Sequence, residues 1–366
     1  MHDIWVEVRR DALENNYRVI RGLLSEGTRL CCVVKSNGYG HGIAEVSRVF
    51  AELGADYLAV THIDEARMIR DAGIRTPVLV FMNPAADNIA EALELDLELT
   101  VSAERDAVNI SRAAARMGKT ARVHVKVDTG MGRLGVRPGA VTDLFRSMSG
   151  LQNITVAGIY THFARSGELD IKFTQQQFAK FQDALTDLKR HGFDYGLAHC
   201  CNSGAALRFP DMHLDMVRVG TSLYGQFPSI YAKKDHITLQ NTWQLCCRVC
   251  EIKELLPGDT VGYGSEFVAK KPMTCAVISA GFGDGFTMIP EALVYRMEPL
   301  RFFMKKRFRK RVVRIAGAEA PVLGKVAMQM TIVDITDIRD SVRTDDRVEL
   351  DSMRIPVDSL VPRVII

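Results

Sequence analysis

Lys35 closes an apolar run, Leu30-Cys31-Cys32-Val33-Val34, and opens the segment Ser36-Asn37-Gly38-Tyr39-Gly40-His41-Gly42. Unbroken apolarity over this length reads as a strand buried on both faces, as in a parallel sheet. A lysine at its end would point into a desolvated pocket. Desolvation disfavours the ammonium, lowers its pKa and frees an amine for Schiff-base chemistry. A strand-end lysine can also turn out to solvent, because lysine is rarely buried unpaired. The turn that follows favours the first reading. Its Asn37 and glycines tolerate positive φ, and Tyr39 and His41 are interleaved with them.

Other apolar runs end in polar groups of comparable chemistry. They are Lys126-Val127-Asp128-Thr129-Gly130-Met131-Gly132-Arg133, Tyr160-Thr161-His162, His199-Cys200-Cys201-Asn202-Ser203 and Arg218-Val219-Gly220-Thr221. Hydroxyls and backbone N–H groups at Asn202-Ser203-Gly204 and Gly220-Thr221-Ser222 would suit a phosphate. Taken singly, Ser203 reads as an ordinary helix N-cap and His162 as a satisfied core histidine. The argument lies in the set.

The elements that must position this set alternate regularly. Strand patterns fall at 29–35, 56–61, 77–82, 97–101, 121–128, 154–162, 195–201 and 215–219. Helical periodicity falls at 11–24, 43–53, 63–72, 86–94, 103–117, 139–149 and 171–191, with a short piece at 203–208. Eight strands joined by mostly helical segments predict a (β/α)8 barrel. A doubly wound open sheet usually has fewer strands and a G-x-G-x-x-G turn after its first strand, which this chain lacks. Barrel enzymes act at the C-terminal strand ends, where the polar residues above collect. A Schiff-base lysine with a phosphate cradle on a barrel suggests pyridoxal 5'-phosphate, PLP.

After about residue 235 the texture becomes β-rich, with pieces at Gln244–Leu255, Cys275–Ser279, Val312–Ile315, Lys325–Met328, Thr331–Ile335 and Val348–Leu350. The turn signals are Pro257-Gly258-Asp259 and Gly262-Tyr263-Gly264. The expected division is a barrel over 9–235 and a mostly β domain over 236–366, joined by the N-terminal strand in residues 1–8. At 366 residues the chain has room for both. With 47% apolar and 25% charged residues it has the composition of a soluble globular protein, and a net charge of +3 implies no nucleic-acid partner. No apolar stretch approaches the ~18 residues of a membrane span. The first ten residues lack the apolar core of a signal peptide, so the expected location is cytoplasmic. Cys31, Cys32, Cys246 and Cys247 lie in apolar runs and read as buried free thiols.

Val34-Lys35-Ser36-Asn37-Gly38-Tyr39-Gly40-His41-Gly42 resembles the PLP-lysine signature of the alanine racemases. The resemblance runs nearly end to end. It includes the segment from Lys126 to Arg133, Tyr160-Thr161-His162-Phe163, Asn202-Ser203, Arg218-Val219-Gly220, Leu223-Tyr224-Gly225 and Gly262-Tyr263-Gly264. It implies a PLP barrel with a C-terminal β domain, and two-base racemisation between L- and D-alanine. Lys35 would carry PLP and, once released by substrate, act on one face of Cα. Tyr263, from the other subunit of a head-to-tail homodimer, would act on the opposite face. Arg218 would face the pyridine nitrogen and keep it unprotonated, limiting side reactions such as transamination. Tyr39, Asn202, Ser203, Gly220 and Thr221 match cofactor-binding positions, and His162 the residue stacked near the ring. Arg133 and Met328 match substrate-carboxylate contacts. Lys126 matches a lysine that is carbamylated in many relatives.

Departures from the family pattern cluster in the second domain. Ala327-Met328-Gln329 replaces the common Cys-Met-Asp, and Gly281-Phe282-Gly283-Asp284-Gly285 replaces Gly-Tyr-Ala-Asp-Gly. Thr287-Met288-Ile289 stands where a basic residue is usual, and Ser359 where a tyrosine precedes Val-Pro-Arg. These changes widen and neutralise the mouth of the site, which raises serine or another larger or more polar amino acid as an alternative substrate. Other readings are a decarboxylase or a non-catalytic PLP-binding protein. A third is an anionic-surface binder using Lys305-Lys306-Arg307-Phe308-Arg309-Lys310-Arg311 with Arg314, a run that also reads as a solvated hairpin.

Overall fold

A computed structural model describes residues 2–289 and 311–366. Of the basic run, Lys305–Lys310 lie outside the described residues. The chain divides into two compact units. One holds residues 10–39 and 43–242, the other residues 1–9, 40–42 and 243–366.

The N-terminal strand β1 (Ile4–Val8) belongs to the second of these units. The first unit contains eight parallel strands: β2 (Arg29–Val33), β3 (Tyr57–Val60), β4 (Val78–Val80), β5 (Leu97–Val101), β6 (Ala121–Lys126), β7 (Ile154–Tyr160), β8 (Leu197–His199) and β9 (Met216–Val219). They lie side by side in chain order, and β9 returns to pair with β2. Two backbone bonds link the ends of β8 and β9: Arg218 N–H to the Cys201 carbonyl at 2.9 Å, and Asp215 N–H to the Ala198 carbonyl at 3.1 Å. The result is the expected (β/α)8 barrel. Strands β3, β4 and β5 are buried at every position, as strands covered by helices outside and side chains within must be. Cys31, Val33, Tyr57, Ala59, Leu79 and Met216 fill one interior layer. Each large apolar side chain there contributes about 1.5–3 kcal/mol by burial. The covering helices show the matching stripe. In Lys172–Arg190 the buried positions Thr174, Gln177, Phe181, Ala184, Leu185 and Leu188 recur every three or four residues.

In the second unit β1 lies between β10 (Trp243–Leu255), to which it is antiparallel, and the parallel C-terminal strand β18 (Arg363–Ile365). A short hairpin joins β11 (Thr260–Val261) to β12 (Phe267–Val268). The remaining described strands are β13 (Met273–Ile278), β14 (Val312–Ile315), β15 (Ala318–Leu323), β16 (Thr331–Asp334) and β17 (Arg347–Leu350). Their order is β13-β16-β15-β14-β17-β10-β1-β18, and β10 also pairs with β13 to close the ring. β10 serves both neighbours by shifting register between Val249 and Glu251. One expectation fails. Lys325–Met328 is not a strand; the strand before it is Ala318–Leu323, and residues 325–328 curl instead to receive a second loop. There the Ala327 carbonyl accepts the Phe282 N–H at 3.0 Å and the Met328 carbonyl accepts the Gly283 N–H at 2.8 Å. Cys31, Cys32, Cys246 and Cys247 are buried free thiols, as their apolar runs imply.

Candidate active site

Lys35 leaves β2 into an unusual backbone. Ser36, Asn37, Gly38 and Tyr39 all have φ between 52° and 62°. A left-handed turn costs about 1–2 kcal/mol for each residue with a Cβ, so neighbours must hold it. The Gly38 N–H reaches the Val34 carbonyl at 2.8 Å. Asn37 Oδ1 accepts the Ile43 N–H at 2.9 Å. Glu65 accepts the Ser36 N–H with one oxygen and, with the other, the N–H groups of Thr61 (2.9 Å) and His62 (3.2 Å). One carboxylate thus caps the helix Ile63–Asp71 and pins the turn after Lys35. Burial lowers the Lys35 pKa first and the Arg133 charge second, while Glu65 opposes them.

The turn delivers Tyr39 beside β9. Its ring stacks on Tyr224 with centroids 4.9 Å apart, and its hydroxyl bonds to Thr221. A Cβ at Gly220 would lie 2.4 Å from Tyr39 Oη, so glycine is required for this approach. The Gly220 N–H donates to Ser203 Oγ at 3.0 Å. Asn202 caps the helix Ser203–Arg208, and its Oδ1 also accepts from Ser166 Oγ at 2.7 Å.

Arg218 is 3% exposed. It donates to His199 Nδ1 and to the Thr161 carbonyl, both at 2.7 Å, and more weakly to His162 Nδ1 at 3.4 Å. Burial, then the Arg218 charge, pushes the His162 pKa well down, so His162 is neutral. Lys126 is buried with Nζ 4.2 Å from the Tyr160 ring centre. Burial is the largest cause of its strongly lowered pKa, followed by Arg218 and Arg133, with Asp128 opposing.

Arg133 rides on a loop tied to its own stem. Asp128 Oδ1 accepts the N–H groups of Gly130 (3.0 Å), Met131 (2.8 Å) and Gly132 (3.1 Å). Gly135 closes the loop at φ +131°, and a Cβ there would lie 2.6 Å from Asp128 N.

A pocket of about 210 Å³ gathers Lys35, Tyr39, His162, Asn202, Ser203, Arg218, Gly220 and Thr221 at the strand ends. Val33, Phe81, Ser166, Gly204 and Pro228 complete its lining, and Lys126 and Arg133 are not part of it. Tyr263 and Met328 belong to the other unit. Tyr263 stands on a one-turn 3-10 helix and is 76% exposed; Met328 is 63% exposed. Sequence reasoning assigned no role to Glu65, Glu98, His124 or His199. The available signal was a carboxylate at the third residue of a helix for Glu65, a polar residue flanked by apolar ones within a strand pattern for Glu98 and His124, and a polar residue at a strand end for His199.

A parallel barrel that gathers an amine of lowered pKa, a buried guanidinium and a cradle of hydroxyls and N–H groups at its strand ends defines the class: a (β/α)8-barrel enzyme. Residues 8–228 match the family described as alanine racemase, N-terminal domain, and residues 242–363 match alanine racemase, C-terminal domain. The chain belongs to the alanine racemase family, whose members are isomerases that generally depend on PLP. It is 37% identical to an alanine racemase of Methanococcus maripaludis over 93% of this chain and 86% of the relative. It is 36% identical to alanine racemase 1 of Oceanobacillus iheyensis, over 95% and 88%. Among solved structures, alanine racemase of Clostridium difficile 630 superposes with a TM-score of 0.90 at 28% identity, covering 100% of this chain and 96% of that one.

Proposed function

We propose that this protein is a PLP-dependent enzyme that interconverts L- and D-alanine, using Lys35 and Tyr263 as opposed bases. The observation that carries the reading is the strand-end pocket in which Lys35 and Arg218 meet the cradle of Tyr39, Ser203, Gly220 and Thr221. The donor set fits PLP. An amine of lowered pKa suits attachment to an aldehyde, a buried guanidinium suits an unprotonated pyridine nitrogen, and the cradle suits a phosphate dianion. Asn202 fixes the start of the helix beside that cradle. His162, neutral beside Arg218, fits the face of the ring without adding charge.

When bound, PLP would supply a sink for the electron pair left on Cα by deprotonation. Lys35 Nζ removes or returns the α-proton on one face. The phenol of Tyr263 does the same on the other, contributed by the partner subunit of a homodimer. Such a dimer is supported by the large apolar residues that the second unit exposes, Leu256, Tyr263, Phe282, Met328, Met330 and Leu360. Arg133 orients the substrate carboxylate with the Met328 N–H. Lys126 is a buried amine whose pKa is pushed well down by burial and by two nearby guanidinium groups, which suits carbamylation and a role in holding Arg133. Among the described residues, no helix is long and apolar enough to cross a membrane.

An amino-acid panel assayed for loss of optical purity with added PLP tests the reading. L-Alanine should be the best substrate. Ser359 and Gln329 make L-serine the competitor to measure, and alanine ahead by about a hundredfold in kcat/KM would dispose of the serine alternative.

A further inference from the structure

Four buried polar side chains cross the barrel interior in one line. Arg218 Nη1 lies 2.7 Å from His199 Nδ1, His199 Nε2 lies 3.0 Å from His124 Nδ1, and His124 Nε2 lies 2.6 Å from Glu98 Oε2. The residues come from β9, the end of β8, β6 and β5, and none is more than 3% exposed.

The hydrogens in this line admit one arrangement. A guanidinium only donates, so His199 Nδ1 must accept, and the hydrogen of His199 sits on Nε2. His124 Nδ1 must then accept that hydrogen, and His124 carries its own on Nε2, facing the Glu98 carboxylate. Reversing the direction from a protonated Glu98 would leave His199 with no hydrogen at all. Both imidazoles are therefore neutral Nε2–H tautomers, and every bond points from Arg218 toward Glu98.

The fold makes room for this line. A Cβ at Gly158 of β7 would lie 2.4 Å from His124 Nδ1, and β6 shifts register against β7 between Val123 and His124. The His199 ring stacks on Tyr160 at 4.9 Å with planes 3° apart, and Tyr160 Oη bonds to Thr100 Oγ1 at 2.8 Å. Glu98 Oε1 accepts from Tyr57 Oη at 3.3 Å and pairs with Arg122, whose side chain is 47% exposed.

We propose that Glu98 and His124, through His199, are positioning residues for Arg218: they aim the guanidinium and supply its counter-charge two imidazoles away. This rests on the PLP reading of the pocket. A buried cation without an anion in reach is costly, and a donor relay ending on a carboxylate holds it in one orientation.

The test combines two measurements. Nitrogen-15 NMR at neutral pH, on histidine-labelled protein with and without PLP, should find His124 and His199 both protonated on Nε2 alone. An Nδ1–H or doubly protonated form at either would overturn the relay, and no variant need fold for this result. Second, PLP affinity is measured for Glu98→Gln, His124→Leu and His124→Gln alongside their Tm. Glu98→Gln and His124→Leu should weaken PLP binding by about tenfold or more, while His124→Gln, which keeps an acceptor and a donor, should lose less. Equal affinity in all three, whatever the change in Tm, would also overturn the proposal. A wild-type chain that binds no PLP would instead defeat the cofactor reading, and the NMR of the free protein would still decide the relay.

Discussion

At the scale of single residues, the site lowers the pKa of amines that are ordinarily charged. Burial and the neighbouring Arg133 both lower the Lys35 pKa from its usual 10.5. The reactive neutral fraction rises with pH through the folded pKa, so incorporation of PLP, followed by its visible absorption, should accelerate with pH and level off below 10.5. A midpoint at or above 10.5 would mean that the pocket does not desolvate the amine. Lys126 is held further from its ordinary state, by burial and by Arg218. A neutral amine takes up carbon dioxide to form a carbamate with loss of a proton. Protein equilibrated with carbon-13 bicarbonate should show a carbamate signal that disappears in Lys126→Ala. Retention of the same signal in that variant would assign it elsewhere. Lys35 and Arg218 were legible because each interrupts or ends an apolar run. Glu98 and His124 were not, since their pairing across β5 and β6 needs the register of the barrel.

At the scale of elements, the barrel strands and helices were readable because each buries a continuous or periodic apolar face. Helix Ser203–Arg208 and strand Leu97–Val101 have the expected bounds, and the other barrel strands are one to four residues shorter than expected. Local chemistry was harder to read. The left-handed course of Ser36–Tyr39 is held in part by Glu65, from helix Ile63–Asp71 beyond the following strand, which the turn residues alone do not reveal. The strand expected at Lys325–Met328 failed because its carbonyls serve Phe282 and Gly283 rather than a ladder. β15 escaped notice because it contains Pro321 and begins and ends beside glycine turns. The Asp128 loop offers a test at this scale. Asp128→Ala removes the acceptor shared by Gly130, Met131 and Gly132 and should cost about 1–2 kcal/mol. By loosening Arg133 it should also lower kcat/KM for alanine by about tenfold or more, chiefly through KM. Asp128→Asn, which keeps one acceptor oxygen, should lose much less. Equal kinetics for wild type and Asp128→Ala would show that the loop does not position Arg133.

At the scale of the whole molecule, the proposed chemistry draws its opposed bases from two subunits; Lys35 and Tyr263 belong to different compact units of the chain, and Tyr263 is exposed. Lys35→Ala and Tyr263→Phe should each be inactive alone. Dissociated, mixed and reassociated at random, half the dimers carry both changes in trans, and each of these rebuilds one intact site. Recovery of about a quarter of wild-type activity is expected from this symmetry. No recovery, with mixed dimers verified, would place both bases in one chain. The central claim is most directly tested by incubating the PLP-loaded protein separately with L-alanine and D-alanine in deuterium oxide. Racemisation predicts that both optical signals decay to zero, with deuterium entering only at Cα and no loss of the amine or of carbon dioxide. An L-alanine sample that keeps its optical signal, or loses it through transamination or decarboxylation, would contradict the account.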